Sequence, residues 1–242
     1  MDRLIYLAMG GAKAALHRQE VVSNNLANVS TTGFRADLTA FRAVPVQGDG
    51  ASTRVYALET TPGYNADPGP ISATGRNLDV AMKGNAWLAV QAPDGTEAYT
   101  RNGSLDLNAE GQLTTRGGLV VLGDGGPITV PVNAQVQIGA DGSVTAKVGN
   151  GASQGVGRLK LVVPEAPLQR GVDTLFRAVE GELPANAEAR LQDGALEGSN
   201  VSAVEAMVAM ISASRQFEQQ MNMVKTAQDR EQGATRLLGP SS

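Results

Sequence analysis

Side chains that usually carry chemistry are scarce in this sequence. His17 is the one histidine in 242 residues and there is no cysteine. Composition therefore excludes thiolate zinc sites, cysteine nucleophiles, disulfide frameworks and multi-histidine metal sites. His17 has no Asp, Cys or second His at ligand spacing, so it is expected to be an exposed or interface histidine. Asp94, Asp124 and Asp141 each sit beside a glycine. Carboxylates in such places stabilise turns through their side-chain oxygens, which leaves a glycosidase-type acid pair as the minor reading. The run Gly123-Asp124-Gly125-Gly126-Pro127 is glycine-rich, but no Lys-Ser/Thr follows it and Pro127 spoils a helix N-terminus for phosphate. Trp87 and Tyr99 read as cross-strand core partners, with stacking platforms of a carbohydrate-binding module as the alternative. No catalytic residue, metal site or cofactor is expected.

The most unusual polar cluster is not catalytic in type. Asn24, Asn25 and Asn28 fall within five residues of an apolar periodic run, followed by Thr31-Thr32-Gly33-Phe34-Arg35. Asparagines are poor helix formers, so a seam carrying three of them is expected to use the amides to bond across to partner backbones and set register. Gly33 is expected to stop the helix in a left-handed cap, with Phe34 anchoring the chain as it turns away.

These residues must be positioned by elements that punctuation reveals. Of the 29 glycines, 3 lie in residues 1–35 and 3 in residues 197–242, and of the 11 prolines only Pro240 lies outside the middle stretch. Glycine and proline break helices, so the chain reads as helix, β-rich middle, helix. In the first segment Ile5, Ala8, Ala12, Ala15, Gln19, Val22, Leu26 and Val29 alternate spacings of three and four. In the last, Ala203, Met207, Met210, Ser214, Phe217, Met221, Val224 and Gln228 do the same, widened by Val204 and Ile211. Each is a seam for packing on another helix. Ser199 or Asn200 is the expected N-cap of the second helix, with Glu205 in its first turn. The middle holds three hairpins, around Pro93–Thr96, Asn108–Gly111 and Asp141-Gly142, and residues 149–157 read as a flexible loop. Residues 180–196 show no legible pattern. The expected fold is α+β, with paired, coiled-coil-like terminal helices and a central antiparallel all-β domain.

Lys+Arg 20 against Asp+Glu 24 gives a net charge of -4 and a sequence pI near 5.1, which argues against nucleic acid or anionic lipid as a partner. No apolar run reaches the roughly 18–20 residues of a spanning helix, and no secretory signal pattern is visible at the N-terminus.

At this point the motifs resemble a known family. Residues 23–35, Ser-Asn-Asn-Leu-Ala-Asn-Val-Ser-Thr-Thr-Gly-Phe-Arg, are similar to the signature of bacterial flagellar rod and hook proteins, with Ser23 where that signature usually has Ala. Leu196 to Val201, continuing through Glu205-Ala206-Met207 to Arg215-Gln216-Phe217-Glu218, resembles the family's closing helix. Ala73 to Ala81 and Tyr99 to Gly103 resemble its β-domain. The resemblance implies a non-enzymatic structural subunit of the rod, the hollow shaft that carries torque from motor to hook. A distal-rod subunit is the alternative within the family, and a secreted β-rich carbohydrate-binding module or an envelope hydrolase outside it.

It implies as partners further copies of the chain, the proximal-rod proteins FlgB and FlgC, the distal-rod protein FlgG and the flagellar type III export apparatus. It implies a place in the periplasm-spanning basal body, reached without a cleaved signal peptide. The corresponding organisation is an N-terminal helix over 1–35, an extended connector over 36–69, a β-rich domain over 70–196 and a C-terminal helix over 197–242. With the seams, the residues expected at assembly interfaces are Ile5, Ala12, Val22, Ser23, Asn24, Asn25, Leu26, Ala27, Asn28, Gly33 and Phe34 near the start, and Glu197, Ser199, Asn200, Val201, Glu205, Met207, Met210, Ile211, Phe217, Met221 and Val224 near the end.

Overall fold

A computed structural model describes residues 2–45, 55–131, 133–171 and 173–238. The chain divides into two units, one of residues 1–27, 37–62 and 201–242, the other of residues 28–36 and 63–200.

The first unit is built on two helices, α1 (Asp2–Ala27) and α2 (Ala203–Leu238). They run antiparallel, since Gly11 of α1 lies against Gln220 of α2 and Arg18 reaches Gln216 at 3.2 Å. The buried side chains along their contact are small: Ala8, Ala12 and Ala15 on α1, with Ala206, Ala213, Val224 and Ala227 on α2. The α1 seam has the expected register. The α2 seam does not: it runs through Ala203, Ala206, Met210, Ala213, Phe217, Gln220, Val224 and Ala227, so Met207 and Met221, expected inside, face out. Close approach selects the smaller side chain at each step, and Gly11 shows how close: a Cβ there would sit 2.8 Å from Cδ of Gln220.

Two further expectations about the helices need correction. The first helix was expected within 1–35 with Gly33 as its stop, but it ends at Ala27, and residues 28–33 form turns. Gly33 is left-handed at φ 69°, yet it caps no helix. It is glycine because a Cβ would run into the Arg101 carbonyl. The N-cap of α2 is Ser202, whose Oγ accepts from the Glu205 N–H at 3.4 Å, and not Ser199 or Asn200. Over residues 36–69, where an extended connector was expected, two long strands, β1 (Asp37–Pro45) and β2 (Val55–Tyr64), pair with each other.

The second unit is antiparallel β throughout. Its largest sheet has five strands in the order Leu161–Val162, Trp87–Gln91, Glu97–Thr100, Phe176–Arg177, Gln169–Arg170. Alternate residues of Trp87–Gln91 enter two separate cores: Leu88 and Val90 join Leu105, Leu113, Val121 and Leu161, whereas Trp87 and Ala89 join Tyr99, Val162 and Phe176. The three expected hairpins are present as Trp87–Gln91 with Glu97–Thr100, Leu105–Leu107 with Leu113–Thr115, and Ala134–Ile138 with Ser143–Val148. The expected loop at 149–157 is shorter than read, because Gln154–Arg158 adds a third strand to the last hairpin. Residues 180–196, illegible in sequence, supply Leu191–Asp193 and the start of Ala195–Glu197, which pair with Val80–Met82 and Ile71–Ala73 on either side of left-handed Gly194.

Candidate assembly surfaces

In the first unit the asparagines at the end of α1 have partners within the chain. Asn25 clamps the backbone of Asp37 with both ends of its amide: Nδ2 donates to the carbonyl at 3.0 Å and Oδ1 accepts from the N–H at 2.8 Å. Asn24 Nδ2 donates to the Asp37 carboxylate at 3.0 Å. The expectation that these amides reach across to a partner's backbone is thus replaced, for Asn25, by a clamp that fixes where β1 starts beside the helix. His17 is half-buried, with Nδ1 3.2 Å from Glu20.

In the second unit a buried carboxylate organises the chain ends. Glu197 is fully buried, accepts hydrogen bonds from Nε of Arg101 at 2.8 Å and the Gly69 N–H at 3.0 Å, and makes an ion-pair contact with Nη2 of Arg101 at 2.5 Å. Nη1 of Arg35 approaches the same carboxylate within 2.6 Å, but Nε and Nη1 of Arg35 make no hydrogen bond, so that contact is an ion pair off the N–H directions. Arg101 is further held by the carbonyls of Gly84, Ala86 and Met82. Burial pushes the Arg101 guanidinium below its ordinary pKa; Glu197 opposes that shift and Arg35 adds to it. Beside this cluster, Asn200 accepts the Ala36 N–H at 2.7 Å and donates to the carbonyls of Asn65 at 3.0 Å and Asp67 at 2.8 Å. Sequence reasoning selected Glu197 and Asn200 without these roles, and it missed Arg101 as the partner of Glu197.

The residues expected at interfaces therefore separate. Ala12, Gly33, Phe34, Glu197, Ser199 and Val224 are buried within the chain. Ser23, Asn24, Ala27, Glu205, Met207, Ile211 and Met221 are exposed. Ile5, Val22, Asn25, Leu26, Asn28, Asn200, Val201, Met210 and Phe217 are half-buried.

The alternatives lose their supports. Trp87 and Tyr99 are 2% and 1% exposed, so neither offers a face to a sugar. Burial raises the Tyr99 phenol, whose hydroxyl donates to Glu97 and accepts from the Leu183 N–H. Asp94 and Asp141 are turn acids: each accepts from a hydroxyl and a backbone N–H two residues on, Thr96 and Ser143 respectively, and those bonds lower both carboxyls. No helix among the described residues is long and apolar enough to cross a membrane.

Comparison with known proteins decides between the readings. Residues 5–35 match a family model described as flagella basal body rod protein, residues 81–146 the flagellar hook protein FlgE/F/G D1 domain, and residues 192–237 the flagellar basal body rod FlgEFG protein C-terminal. The flagellar basal-body rod protein FlgF of Escherichia coli K12 is 46% identical over 252 residues, covering 100% of both chains. The chain belongs to the FlgF family of flagellar basal-body rod proteins. The FlgF of Caulobacter vibrioides is 33% identical over 99% of each chain. The FlgG of Agrobacterium fabrum is 31% identical over 94% of this chain and 96% of its own. The first two family matches cover α1 with the turn after it, and then the hairpins of the β-unit from Ala81 on. The third takes in Glu197, Asn200 and nearly all of α2.

Proposed function

We propose that this chain is a non-enzymatic subunit of the proximal rod that polymerises through its terminal helices. The observation that carries the reading is the division of labour on the helices. The buried side chains of their mutual seam are alanine except for Val224, and alanine buries little area at about 25 cal/mol per Å². Larger apolar side chains, Met207 and Ile211 among them, stay exposed at 47% and 54%. A helix pair of this kind gains most of its stability from neighbours, which suits a subunit that becomes rigid on incorporation. The partners are further copies, the proximal-rod proteins FlgB and FlgC, the distal-rod protein FlgG and, during export, the flagellar type III apparatus. The place of assembly is the periplasm-spanning part of the basal body, reached without a cleaved signal.

Electron microscopy of basal bodies from a strain lacking this chain tests the reading. Loss of the rod beyond its base, with no hook, is expected. An intact rod and hook would overturn it.

A further inference from the structure

Outside the alanine seam, each helix carries one concentrated apolar patch. On α1, Tyr6, Met9 and Leu16 are 63%, 56% and 45% exposed. On α2, Val204, Met207, Val208 and Ile211 are between 47% and 67% exposed. Each patch contains a single charge, and the signs are opposite. Lys13 is the only charged residue from 5 to 16 and Glu205 the only one from 198 to 214. Both are exposed, and neither has an ion-pair partner within the chain among the described residues.

The two patches lie at opposite ends of the helix pair. The α1 patch is centred on Gly11, which is level with Gln220 of the antiparallel α2. The α2 patch is centred between Met207 and Val208, so from Gln220 the separation is twelve to thirteen residues, or about 19 Å at ~1.5 Å per residue. They cannot cover one another within one chain. A second chain displaced along the helix axis by that amount can bring one onto the other.

We propose that the α2 patch of one copy docks on the α1 patch of a second copy, with Glu205 meeting Lys13 and an axial offset of about 19 Å between the copies. This rests on the rod-subunit reading and gives it a direction. The contact joins two different surfaces, so it does not close on itself as a two-fold pair does, and each copy keeps a free patch at either end for the next. The methionines adapt to the packing and the charge pair fixes register, since an interfacial pair contributes more to specificity than to affinity.

The cysteine-free sequence makes the test direct. Lys13→Cys and Glu205→Cys variants of the full chain are expressed separately, together, and as both substitutions in one chain, in cells lacking the wild-type copy. Basal bodies are then isolated, oxidised and run without reductant. The expected result is a dimer when the two single variants are mixed, a ladder when one chain carries both substitutions, and loss of both bands when either variant is alone. A cross-link in Lys13→Cys alone would mean symmetric pairing and overturn the proposal, as would no cross-link in variants that are present in the basal bodies. Absence of the wild-type chain from basal bodies would instead sink the rod reading beneath it. In parallel, Lys13→Glu is expected to lose motility and Glu205→Lys in the same chain to restore it; a double variant no better than the single one would remove the pairing.

Discussion

Replacing Glu197 by Gln isolates the contribution of the buried carboxylate without changing its shape. The carboxylate is fully buried, takes one hydrogen bond from Arg101 Nε and one from the Gly69 N–H, lies in ion-pair contact with Arg101 Nη2, and balances the charge of Arg35 at 2.6 Å. Glutamine keeps one acceptor oxygen, turns the other into a donor facing donors, and leaves two guanidinium groups near each other with no counter-charge. Breaking a buried pair from one side costs about 3–5 kcal/mol. At a urea dependence of roughly 2 kcal/mol per molar, the unfolding midpoint should fall by about 1.5–2.5 M. Trp87, the one tryptophan, is 2% exposed in the same unit, so its fluorescence reports the transition. Arg35→Met provides the internal contrast. Arg35 has no hydrogen bond from Nε or Nη1, and its charge disfavours that of Arg101, so its removal should shift the midpoint far less than Arg101→Met does. Equal effects of the two arginine variants, or a Glu197→Gln midpoint within about half a molar of wild type, would refute the reasoning.

Other perturbations follow from single contacts. Asn25→Ala removes two hydrogen bonds to the Asp37 backbone, at about 1 kcal/mol each, and should speed amide exchange at Asp37 while exchange in the β-unit is unchanged; unaltered exchange at Asp37 would refute the clamp. Gly33→Ala forces a left-handed alanine, costing about 1–2 kcal/mol, and adds a clash with the Arg101 carbonyl, so its urea midpoint should fall; a wild-type midpoint would show that the turn can relax. Hydrogen bonds from Arg177 hold the Asp173 carboxyl below the ordinary range. A depressed folded-state pKa stabilises the fold above the unfolded value of about 3.9 and loses that contribution as pH falls through the folded value. In an NMR pH titration Asp173 should therefore still be ionised where exposed carboxylates are half-protonated, and Arg177→Gln should move its midpoint up.

Much of the fold was legible because its signals are local. The Asp-Gly and Pro-Asp-Gly turns marked the hairpins, and the three-four spacing from Ile5 to Leu26 marked the α1 seam. Ala203, Met210, Phe217 and Val224 of the α2 seam were read correctly, but the positions between them were read one residue late, as Met207 for Ala206, Ser214 for Ala213, Met221 for Gln220 and Gln228 for Ala227. Hydrophobicity ranks side chains by the area they can bury, whereas a close helix contact selects those that fit, so the buried residue is the alanine and the exposed one the methionine. The Asn cluster was noticed for its rarity, but its partner is Asp37, 12 residues from Asn25 and outside any helical period. The role of Glu197 was beyond sequence reasoning for a similar reason: Arg101 lies 96 residues away, and nothing in a single acidic residue announces that it will be buried.

The ties made by Asn200 have a consequence for how such a chain can be rebuilt. Three of the four places where the chain enters or leaves the β-unit lie at or next to Ala36, Asn65 and Asn200, and these three are bonded to one another: Ala36 N–H to the Asn200 amide, the Asn200 amide to the Asn65 carbonyl, and Asn65 N–H to the Ala36 carbonyl. These ends of the insert are thus fastened inside the insert itself. A cassette closed in this way can be enlarged, trimmed or exchanged with its stitching intact.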